Sequence, residues 1–577
     1  MTKGPVAPKD PVRQRAFFYI MQDKDIFGAE QSDGKGVQFI YQNDNRLINS
    51  AKITGNVTDE KMLELLKTTE GFRKLVHSIG VAVTMIDQQP DTEKKKQVKF
   101  IYQMYGKTDP YVSGTNIVMD MEADGTEHVI EMNQMKWSDD DNEPGQIRFE
   151  FQESGLQAQA TIRLYLQDGY TAPEVIENEK IDVHSPEYRK VISRSLMQLG
   201  NTARLKKAID KAKAGEEVTL AYIGGSITQG AGAIPIHTNC YAYQSYEAFT
   251  KKYAANGSNV HFVKAGVGGT PSELGMIRFE RDVLRDGSVI PDVVVVEFAV
   301  NDEGDETKGV CYDSLVRKIL ALPNQPAVIL LFAVFAYDWN LQDRLDVVGK
   351  TYQLPMISIK DAVSPQFGLR KEEGRVLSKN QFFYDIYHPS NMGHKIMSDC
   401  LMNLFEQVDS AEEETDTTKT LLEKNTAIGN RFESVKLLDR KDMQGVAKIA
   451  CGSFDGTDKE LQCVEMDNRL EPVPEFPYNW HYDGERENDP VAFEMKVTCK
   501  ALLLVFKDNG AAEAGKADVY VDGTKVLTAD PHINGWIHCN AVIILDEETA
   551  KQHKIKIQMS QGDEDKKFTI LGFGIVG

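Results

Sequence analysis

The sequence predicts a central α/β domain, an open parallel sheet with helices on both faces, flanked by two β-rich, sandwich-like domains. The first observation is length, because 577 residues exceed the size at which a single core stops growing. The second is the pattern of apolar and polar residues along the chain. Strand-like runs in the first part of the chain alternate apolar and polar residues, whereas those in the middle are continuously apolar. Two or three domains are therefore expected.

Three segments differ in this pattern of apolar and polar residues, namely residues 1–186, 187–414 and 415–577. The first has alternating runs separated by polar turns, with one helical segment, DEKMLELLKTTEGFRKLVHSIG, among them. The acidic stretch SAEEETDTTKT precedes a second strand-rich region that contains ALLLVFK and ADVYVDGTKVL. We therefore expect an N-terminal β-rich accessory domain, a middle α/β domain and a C-terminal β-sandwich-like accessory domain.

The middle segment alternates helices with short buried strands. The helices include ARLKKAIDKAKAGE and YQSYEAFTKKYAANG, and the strands are VTLAYI, NVHFVKAG, PDVVVVEFAVND, PAVILLFAVFA and LPMISIKDA. Continuous apolar runs are typical of parallel strands covered on both faces. In such a sheet a ligand binds beyond the carboxyl ends of the strands, so the residues that follow each strand are the candidates for chemistry.

The amino-acid composition excludes some classes of binding partner. A net charge of −21 argues against a nucleic-acid-binding protein and against docking on anionic membranes. No run is long enough for a membrane span, and the first residues contain no apolar core of signal-peptide length. The seven cysteines are scattered without a CxxC pair, so we expect reduced thiols, a cytoplasmic location and no metal.

Polar residues follow four distant segments of the predicted sheet. Ser226 ends the first strand in GGSIT, Gly268 and Gly269 follow the second in AGVGGT, and Asn301 follows the third in FAVND. Asp385 and His388 come later, in DIYH, just ahead of a predicted helix. The carboxyl ends of parallel strands share one edge, so these side chains are predicted to converge there.

This set contains the parts of a serine acyl-transfer site. Ser226 needs a base to take its proton, and His388 is the candidate, with Asp385 three residues earlier to orient the imidazole. The negative oxygen formed by attack needs preorganised donors, for which we expect the N–H of Ser226, the N–H of Gly269 and the side-chain amide of Asn301. No cofactor is needed for this chemistry.

Each residue also has a structural alternative. Ser226 is a good helix N-cap, and Asp385 is a good turn residue whose orienting role a backbone carbonyl could replace. His394 is a rival base, but it falls inside the predicted helix with no carboxylate three residues before it. Gly268 and Gly269 both suit a tight turn, and Asn301 with Asp302 suits an Asx-type turn.

Aromatic residues supply candidate sugar contacts. FAVFAYDWN places Phe335, Tyr337 and Trp339 beyond the fourth strand, where their faces could stack on sugar rings. Ordinary packing under a loop is the alternative for them. Trp480, in the C-terminal segment, is a further candidate and would need to fold back to the site or come from a partner chain.

GGSIT, AGVGGT, AVND and DIYH resemble the four blocks of the SGNH (GDSL-like) hydrolases. The resemblance spans the middle segment, from the strand at Val218 to the helix ending near Leu404, and implies an SGNH-type sheet. It implies catalytic Ser226, His388 and Asp385, with Gly269 and Asn301 as oxyanion donors. The chain departs from the family pattern at Ala299, where the third block usually has Gly, and at Lys264, where Asn is more usual.

The longer stretches GGSITQGAGA, AGVGGTPSELGMIRFERDVL and PDVVVVEFAVND resemble bacterial esterases that remove O-acetyl groups from plant polysaccharides. The three-part layout is most similar to acetyl xylan esterases of carbohydrate esterase family twenty. That resemblance implies a serine esterase of gut bacteria acting inside the cell on acetylated xylo-oligosaccharides, as a homodimer. Three alternatives stay open: an acetyl mannan-oligosaccharide esterase, an SGNH lipase or thioesterase acting on other acyl esters, and a carbohydrate-binding protein with an inactive core.

Overall fold

The structure is a computed structural model that describes residues 15–86, 97–424, 426–441, 446–484 and 490–577. Its strands form three main groups, in the chain order expected: antiparallel, mostly parallel and antiparallel. This arrangement confirms the predicted fold class. No helix in the described part of the chain combines the length and apolarity that a membrane span requires.

The N-terminal group consists of two antiparallel sheets that share one hydrophobic core. One has the strand order β1-β9-β4-β7 and the other β2-β3-β8-β5-β6. The elements are β1 (Phe17–Phe27), β2 (Ala29–Glu30), β3 (Gly36–Tyr41), α1 (Arg46–Ile53), α2 (Glu60–Leu65), α3 (Thr69–Leu75), β4 (Val76–Ile86), β5 (Gln97–Gly106), β6 (Asn116–Glu122), β7 (His128–Glu131), β8 (Asp141–Phe151) and β9 (Gln157–Leu166).

The single helical segment predicted in this region is wrong in its extent. The chain forms two short helices there, and its last five residues, VHSIG, belong to β4. Thr68 separates the helices because its side chain accepts a hydrogen bond from the N–H of Gly71 and caps the second helix. Burial of Val76 and Ile79 on a strand face outweighs the helical spacing of the sequence.

The middle group is a six-stranded sheet with helices around it. Its elements are α4 (Pro186–Ser193), β10 (Leu196–Gln198), α5 (Ala203–Ala214), β11 (Val218–Gly224), α6 (Ser226–Gln229), α7 (Ile236–Asn239), α8 (Tyr241–Tyr253), β12 (Val260–Gly266), α9 (Ser272–Asp282), β13 (Val293–Glu297), α10 (Val310–Leu320), β14 (Ala327–Phe332), α11 (Gln342–Tyr352), β15 (Met356–Ser358), α12 (Ile359–Phe367), α13 (Lys379–Phe382) and α14 (Asn391–Ser410).

The strand order β10-β15-β14-β13-β11-β12 places a topological switch at β11. That strand pairs in parallel with β12 on one side, where Gly224 lies opposite Gly266, and with β13 on the other, where Gly224 lies opposite Glu297. Connections leave the sheet in opposite directions at such a point and open a crevice beyond its carboxyl edge. The residue after Gly225 is Ser226, so the fold places this serine at the crevice.

The C-terminal group is an eight-stranded antiparallel sheet with a two-stranded one beside it. Its elements are α15 (Thr418–Lys424), β16 (Lys436–Leu438), β17 (Ala447–Ala450), β18 (Cys463–Val464), β19 (Val473–Pro474), β20 (Trp480–Tyr482), β21 (Phe493–Asp508), β22 (Ala517–Val521), β23 (Thr524–Ala529), β24 (His538–Met559) and β25 (Phe568–Val576). One face of this group shares a hydrophobic core with the middle sheet, through residues such as Phe476 and Leu503.

Segments near the predicted domain boundaries pack on the middle sheet. The Glu414 carboxylate accepts hydrogen bonds from Thr202, and Asp416 pairs with Arg204 on α5. α4 contributes Tyr188 and Val191 to the core on the same side. The boundaries at 186/187 and 414/415 stay predictions.

A buried ionic cluster joins the middle and C-terminal groups beneath the carboxyl edge. Arg278 donates to the carbonyl oxygens of Gly224 and Ala265, at 2.8 Å each, and so ties the ends of β11 and β12 together. Arg281, one helical turn on, pairs with Asp282 and with Glu475 of the C-terminal group. The side chain of Glu475 is 2% exposed and that of Arg281 is 21% exposed, so this ion pair is largely shielded from water.

We expect Arg281→Leu to destabilise the protein by about 3–5 kcal/mol, because it removes one partner of a buried ionic cluster and leaves carboxylates with less opposing charge. Differential scanning calorimetry measures the effect as a lower melting temperature. The matched control is Lys350→Leu, which removes an exposed i,i+4 pair with Asp346 and costs about 0.5 kcal/mol or less. Equal melting temperatures for the two variants would contradict the prediction.

Candidate active site

Ser226 is the first residue of α6, directly beyond the carboxyl end of β11. Gly225 occupies the N-cap position, and the Ser226 side chain caps no backbone group, so the helix-cap alternative is wrong. Instead, Ser226 Oγ lies 3.0 Å from His388 Nε2. The N–H of Ser226 belongs to the first helical turn, where N–H groups have no intrahelical acceptor. Side chain and backbone of one residue therefore face the same crevice.

A short loop holds Asp385 and His388 together. His388 Nδ1 lies 2.9 Å from Asp385 Oδ2, and the other carboxylate oxygen accepts from the backbone N–H groups of Tyr387 and His388, at 2.8 Å each. The N–H of Tyr384 donates to the carbonyl of His388 and closes the loop. The structure thus brings the three predicted catalytic residues into one chain of hydrogen bonds from carboxylate to imidazole to hydroxyl.

The electrostatics keep this carboxylate ionised. Burial alone would raise the pKa of Asp385, but the His388 charge, its hydrogen bond and the two backbone N–H groups outweigh burial and hold the pKa below its usual value. An ionised Asp385 orients the imidazole with its proton on Nδ1 and leaves Nε2 free to accept from Ser226. This is the protonation pattern that a general base requires.

The glycine turn after β12 offers one free donor. The N–H of Gly268 donates to Gln229 Oε1 at 2.9 Å, whereas the N–H of Gly269 has no acceptor among the described residues. Gly269 has φ of +72°, and a Cβ there would lie 2.8 Å from the Trp536 ring. Glycine is therefore needed at 269, and its free N–H favours the expectation that Gly269 rather than Gly268 is the donor.

Side chains from other segments hold this turn, and sequence reasoning missed them. Gln229 accepts from Gly268 and donates to Glu465, while Gln462 donates to the carbonyl of Gly268 at 2.8 Å. Lys264, the departure from the family pattern, is buried and donates to the carbonyl of Gln229 at 2.7 Å. These contacts join distant positions, and no local sequence signal marks them.

Asn301 packs directly against the turn that carries the serine. A Cβ on Gly225 would lie 2.0 Å from Asn301 Oδ1, so the second glycine of GGS makes room for this amide. The buried Oδ1 is without a hydrogen-bond partner in the part of the chain that the structure describes. Asp302 is fully buried and accepts from Ser272, and burial raises its pKa well above the ordinary value. The predicted donor, Asn301, is thus the residue at the crevice.

A buried polar layer supports the serine from below. Thr228 Oγ1 lies 3.1 Å from Glu297 Oε2 and 2.9 Å from the Tyr241 hydroxyl. Burial raises the pKa of Glu297 to about 7, although the Thr228 hydrogen bond and the His388 charge oppose the shift. Glu297 ends β13 and is fully buried, so its carboxyl group supports Thr228 on the serine helix without reaching solvent.

His394, the alternative candidate for the general base, has a structural role. It is fully buried on α14, accepts from the N–H of Tyr241 through Nδ1 and contacts the carbonyl of Ala231 through Nε2, at 3.2 and 3.1 Å. Burial lowers its pKa to about 3. A neutral ring with both nitrogens engaged has no capacity to take a proton from Ser226.

The crevice widens into a cavity of about 570 Å³ lined by all three groups of strands. Its lining from the middle group includes Ser226, Gly269, Asn301, Phe335, Tyr387 and His388, that from the C-terminal group is Trp536, and that from the N-terminal group includes Phe39, Tyr41, Gln42, Arg46, Asn49 and Ser50. A larger groove, about 1680 Å³, lies at the opposite edge of the sheet and includes none of the catalytic candidates. The N-terminal wall and Trp536 were not predicted.

The aromatic predictions need correction. Trp480 is 1% exposed and packs against Phe493 and Phe573 in the C-terminal core, so its predicted substrate contact is wrong. Trp339 stacks on Phe335 and does not line the cavity. Tyr337 is exposed outside the lining. Phe335 lines the cavity, and the centroid of its ring lies 5.1 Å from that of the Tyr387 ring.

One group of side chains in the described residues could hold a metal ion, and none of its members lines the cavity. It consists of Glu273, Asp305 and Cys311, all buried. Burial raises the pKa of Glu273 to about 9, which disfavours its ionised form. The carboxylate of Asp305 is already engaged by Thr307 and Gly309.

His394 should make the folded state sensitive to acid. Its folded pKa of about 3 lies below the ordinary value of 6.5, so between these values only the unfolded chain takes up the proton. The free energy of unfolding should therefore fall as the pH is lowered from 6.5 toward 3. We expect the melting temperature of His394→Gln to depend less steeply on pH over this window than that of the wild type. Parallel curves would contradict the prediction.

The comparisons with known proteins bear on the family and on the fold. Residues 222–396 match the GDSL-like Lipase/Acylhydrolase family. A search of curated protein sequences finds no significant match. A solved two-domain esterase active on acetylated mannans is 24% identical, with a TM-score of 0.55 over 67% of this chain and 99% of that one. The same esterase co-crystallised with mannopentaose is 24% identical, with a TM-score of 0.54 over 66% and 98%.

A catalytic mutant of an acetylxylan esterase from Geobacillus stearothermophilus is 17% identical, with a TM-score of 0.25 over 33% of this chain and 96% of that one. The mannan esterase shares the fold over its full length, and about a third of the present chain lies outside that match. The family model covers β11 to α14, the segment that carries all four sequence blocks. Residues 222–396 are therefore similar to the GDSL-like Lipase/Acylhydrolase family, in agreement with the resemblance that those blocks indicated.

Proposed function

We propose that the protein is a serine esterase that removes O-acetyl groups from plant polysaccharide fragments. The observation that carries the proposal is the hydrogen-bond chain Asp385–His388–Ser226 at the carboxyl edge of the sheet. The three donors around it, the N–H groups of Ser226 and Gly269 and the Asn301 amide, support the same chemistry.

The reaction follows from the placement of these groups. His388 Nε2 accepts the Ser226 proton as the oxygen attacks the acetyl carbonyl, and the three donors stabilise the oxyanion. The resulting imidazolium, stabilised by Asp385, then gives its proton to the departing sugar oxygen. Water repeats the sequence on the acetyl-serine with His388 again as base, which releases acetate and restores the free serine.

Acetylated xylo-oligosaccharides are the substrate we propose first, on the three-part layout of the chain. The shared fold of an esterase active on acetylated mannans favours manno-oligosaccharides as the second candidate. The cavity of about 570 Å³ combines aromatic and polar side chains such as Tyr41, Gln42 and Trp536 with an aliphatic patch that includes Ile20, Ile147 and Ile162, so a long-chain ester is kept in the test beside the two sugars. A cytoplasmic location and a homodimer stay predictions.

Ser226→Ala should lower acetate release at least about a thousandfold, because it removes the nucleophile and leaves only the binding and oxyanion terms. The measurement is acetate released from acetylated xylo-oligosaccharides, acetylated manno-oligosaccharides and a long-chain ester. Ser193→Ala, on the exposed surface of α4, is the control and should match the wild type. Preference for the long-chain ester would contradict the carbohydrate assignment, and an active Ser226→Ala would contradict the mechanism.

Asn301→Ala should lower kcat by about 10²–10³, since a preorganised oxyanion donor contributes roughly 3–4 kcal/mol to the transition state. KM should change little, because the donor acts on charge that develops during the reaction. Asn324→Ala removes a comparable amide at the opposite edge of the sheet and serves as the control. A large rise in KM with unchanged kcat would mean that Asn301 binds the ground state instead.

A further inference from the structure

The N-terminal group does more than cover the cavity, because one of its strands reaches into the middle domain. The register between β1 and β9 is interrupted between Tyr19 and Met21 and again between Met21 and Lys24. Asp23, within the second break, has φ of +49°, in the left-handed region. Such irregularities re-aim side chains. Here they accompany a lysine, Lys24, that is only 6% exposed.

Lys24 is bonded to the segment that carries the catalytic loop. Its Nζ donates to the carbonyl oxygen of Asn380 at 2.6 Å and to that of Phe383. Phe383 lies two residues before Asp385, so the lysine holds the entry to the loop. Gln22, two residues earlier on β1, accepts from the Asn380 side chain at 2.9 Å.

The exit of the loop is held by the same strand. Asp25 accepts from Asn391 Nδ2 at 2.6 Å, and Asn391 lies three residues after His388. The Asn391 amide also bonds both backbone groups of Ile234, in the loop that follows the serine helix. Two neighbouring residues of β1 therefore hold both ends of the segment from Asn380 to Asn391.

Stability alone explains this lysine poorly. No carboxylate lies within ion-pair distance of Lys24 among the described residues, and its two acceptors are backbone carbonyls. Burial lowers the pKa of Lys24 to about 8, and the charges of Asp385, Asp25 and Asp23 only partly offset that cost. Apolar side chains replace buried ionic groups at little or no cost when stability is the only requirement.

We propose that Lys24 is a positioning residue for the catalytic loop, so that the N-terminal domain is part of the catalytic unit. This inference rests on the proposed esterase function. Lys24 also lies at the wall of the cavity that holds Ser226 and His388, but its Nζ donates to the carbonyl oxygens of Asn380 and Phe383. It acts by fixing the two carbonyls that precede Asp385, and through them the place of His388 against Ser226.

The sensitivity of the site to small displacements sets the expected effect. His388 Nε2 and Ser226 Oγ are 3.0 Å apart, and a misplacement of about 1 Å can cost roughly a hundredfold in rate. Loss of the clamp should therefore lower kcat. The sugar-binding walls of the cavity are formed mainly by other residues, so KM should change much less.

The test is Lys24→Met in the full-length protein, which keeps an unbranched side chain one atom shorter and removes its charge and donors. We expect kcat on p-nitrophenyl acetate and on acetylated xylo-oligosaccharides to fall about 10- to 100-fold, with KM within about twofold. Lys24→Arg keeps a cation and donors and should retain more of kcat. The matched control is Lys371→Met, an exposed lysine that pairs with Glu179 and should behave like the wild type.

A second variant separates positioning from folding. Lys24→Ala leaves a space that opens to the cavity of Ser226 and to a second cavity of about 700 Å³, lined by Gln22, Asp25 and Asn391 among others. A small alkylammonium ion can enter this space. Propylammonium chloride should raise kcat of this variant severalfold, whereas equal tetramethylammonium chloride, which has no N–H donors, should not. Melting temperatures recorded alongside report any loss of fold.

The inference is overturned if folded Lys24→Met keeps wild-type kcat, or if propylammonium fails to raise the activity of Lys24→Ala above the tetramethylammonium control. Failure of the proposed function looks different. In that case Ser226→Ala would keep its activity, whatever the Lys24 variants do.

Discussion

The site depends on one contact, the 3.0 Å approach of His388 Nε2 to Ser226 Oγ, between residues 162 positions apart. Each partner sits on a short, locally determined piece of chain. Ser226 begins a four-residue helix at the switch point of the sheet, and His388 sits in a loop closed on itself by the N–H of Tyr384. Each piece is closed by its own backbone hydrogen bonds, and the tertiary structure has to hold the two at hydrogen-bonding distance.

Buried polar groups at the carboxyl edge of the sheet hold the serine turn in place. Arg278 ties the ends of β11 and β12, Thr228 and Glu297 support the serine turn, and His394 contacts the loop after it. Buried polar groups are costly unless they are paired, which makes such networks specific to one arrangement. Several buried polar groups lie beneath Ser226. We infer that their paired hydrogen bonds fix the position of the serine turn, which offsets the free-energy cost of burying them.

The flanking domains contribute to the same geometry. The C-terminal group supplies Gln462 to the glycine turn and Trp536 to the cavity. The N-terminal group supplies a cavity wall and the β1 residues that hold the segment from Asn380 to Asn391. The layout expected from the sequence, a catalytic domain with two accessory ones, therefore understates how closely the three are integrated around the cavity.

By itself the sequence determined the fold class, the family of the middle domain and the residues that converge on its sheet edge. These follow from local information: apolar runs of strand length, glycines at turns, and an Asp-x-x-His spacing that one loop can close. Only the tertiary structure decided that Trp480 belongs to the C-terminal core while Trp536 lines the cavity. Lys24 likewise became significant only through its contacts with the catalytic loop. Those outcomes depend on which distant surfaces pack together, and no periodicity or spacing along the chain encodes the partner of a side chain across a domain interface.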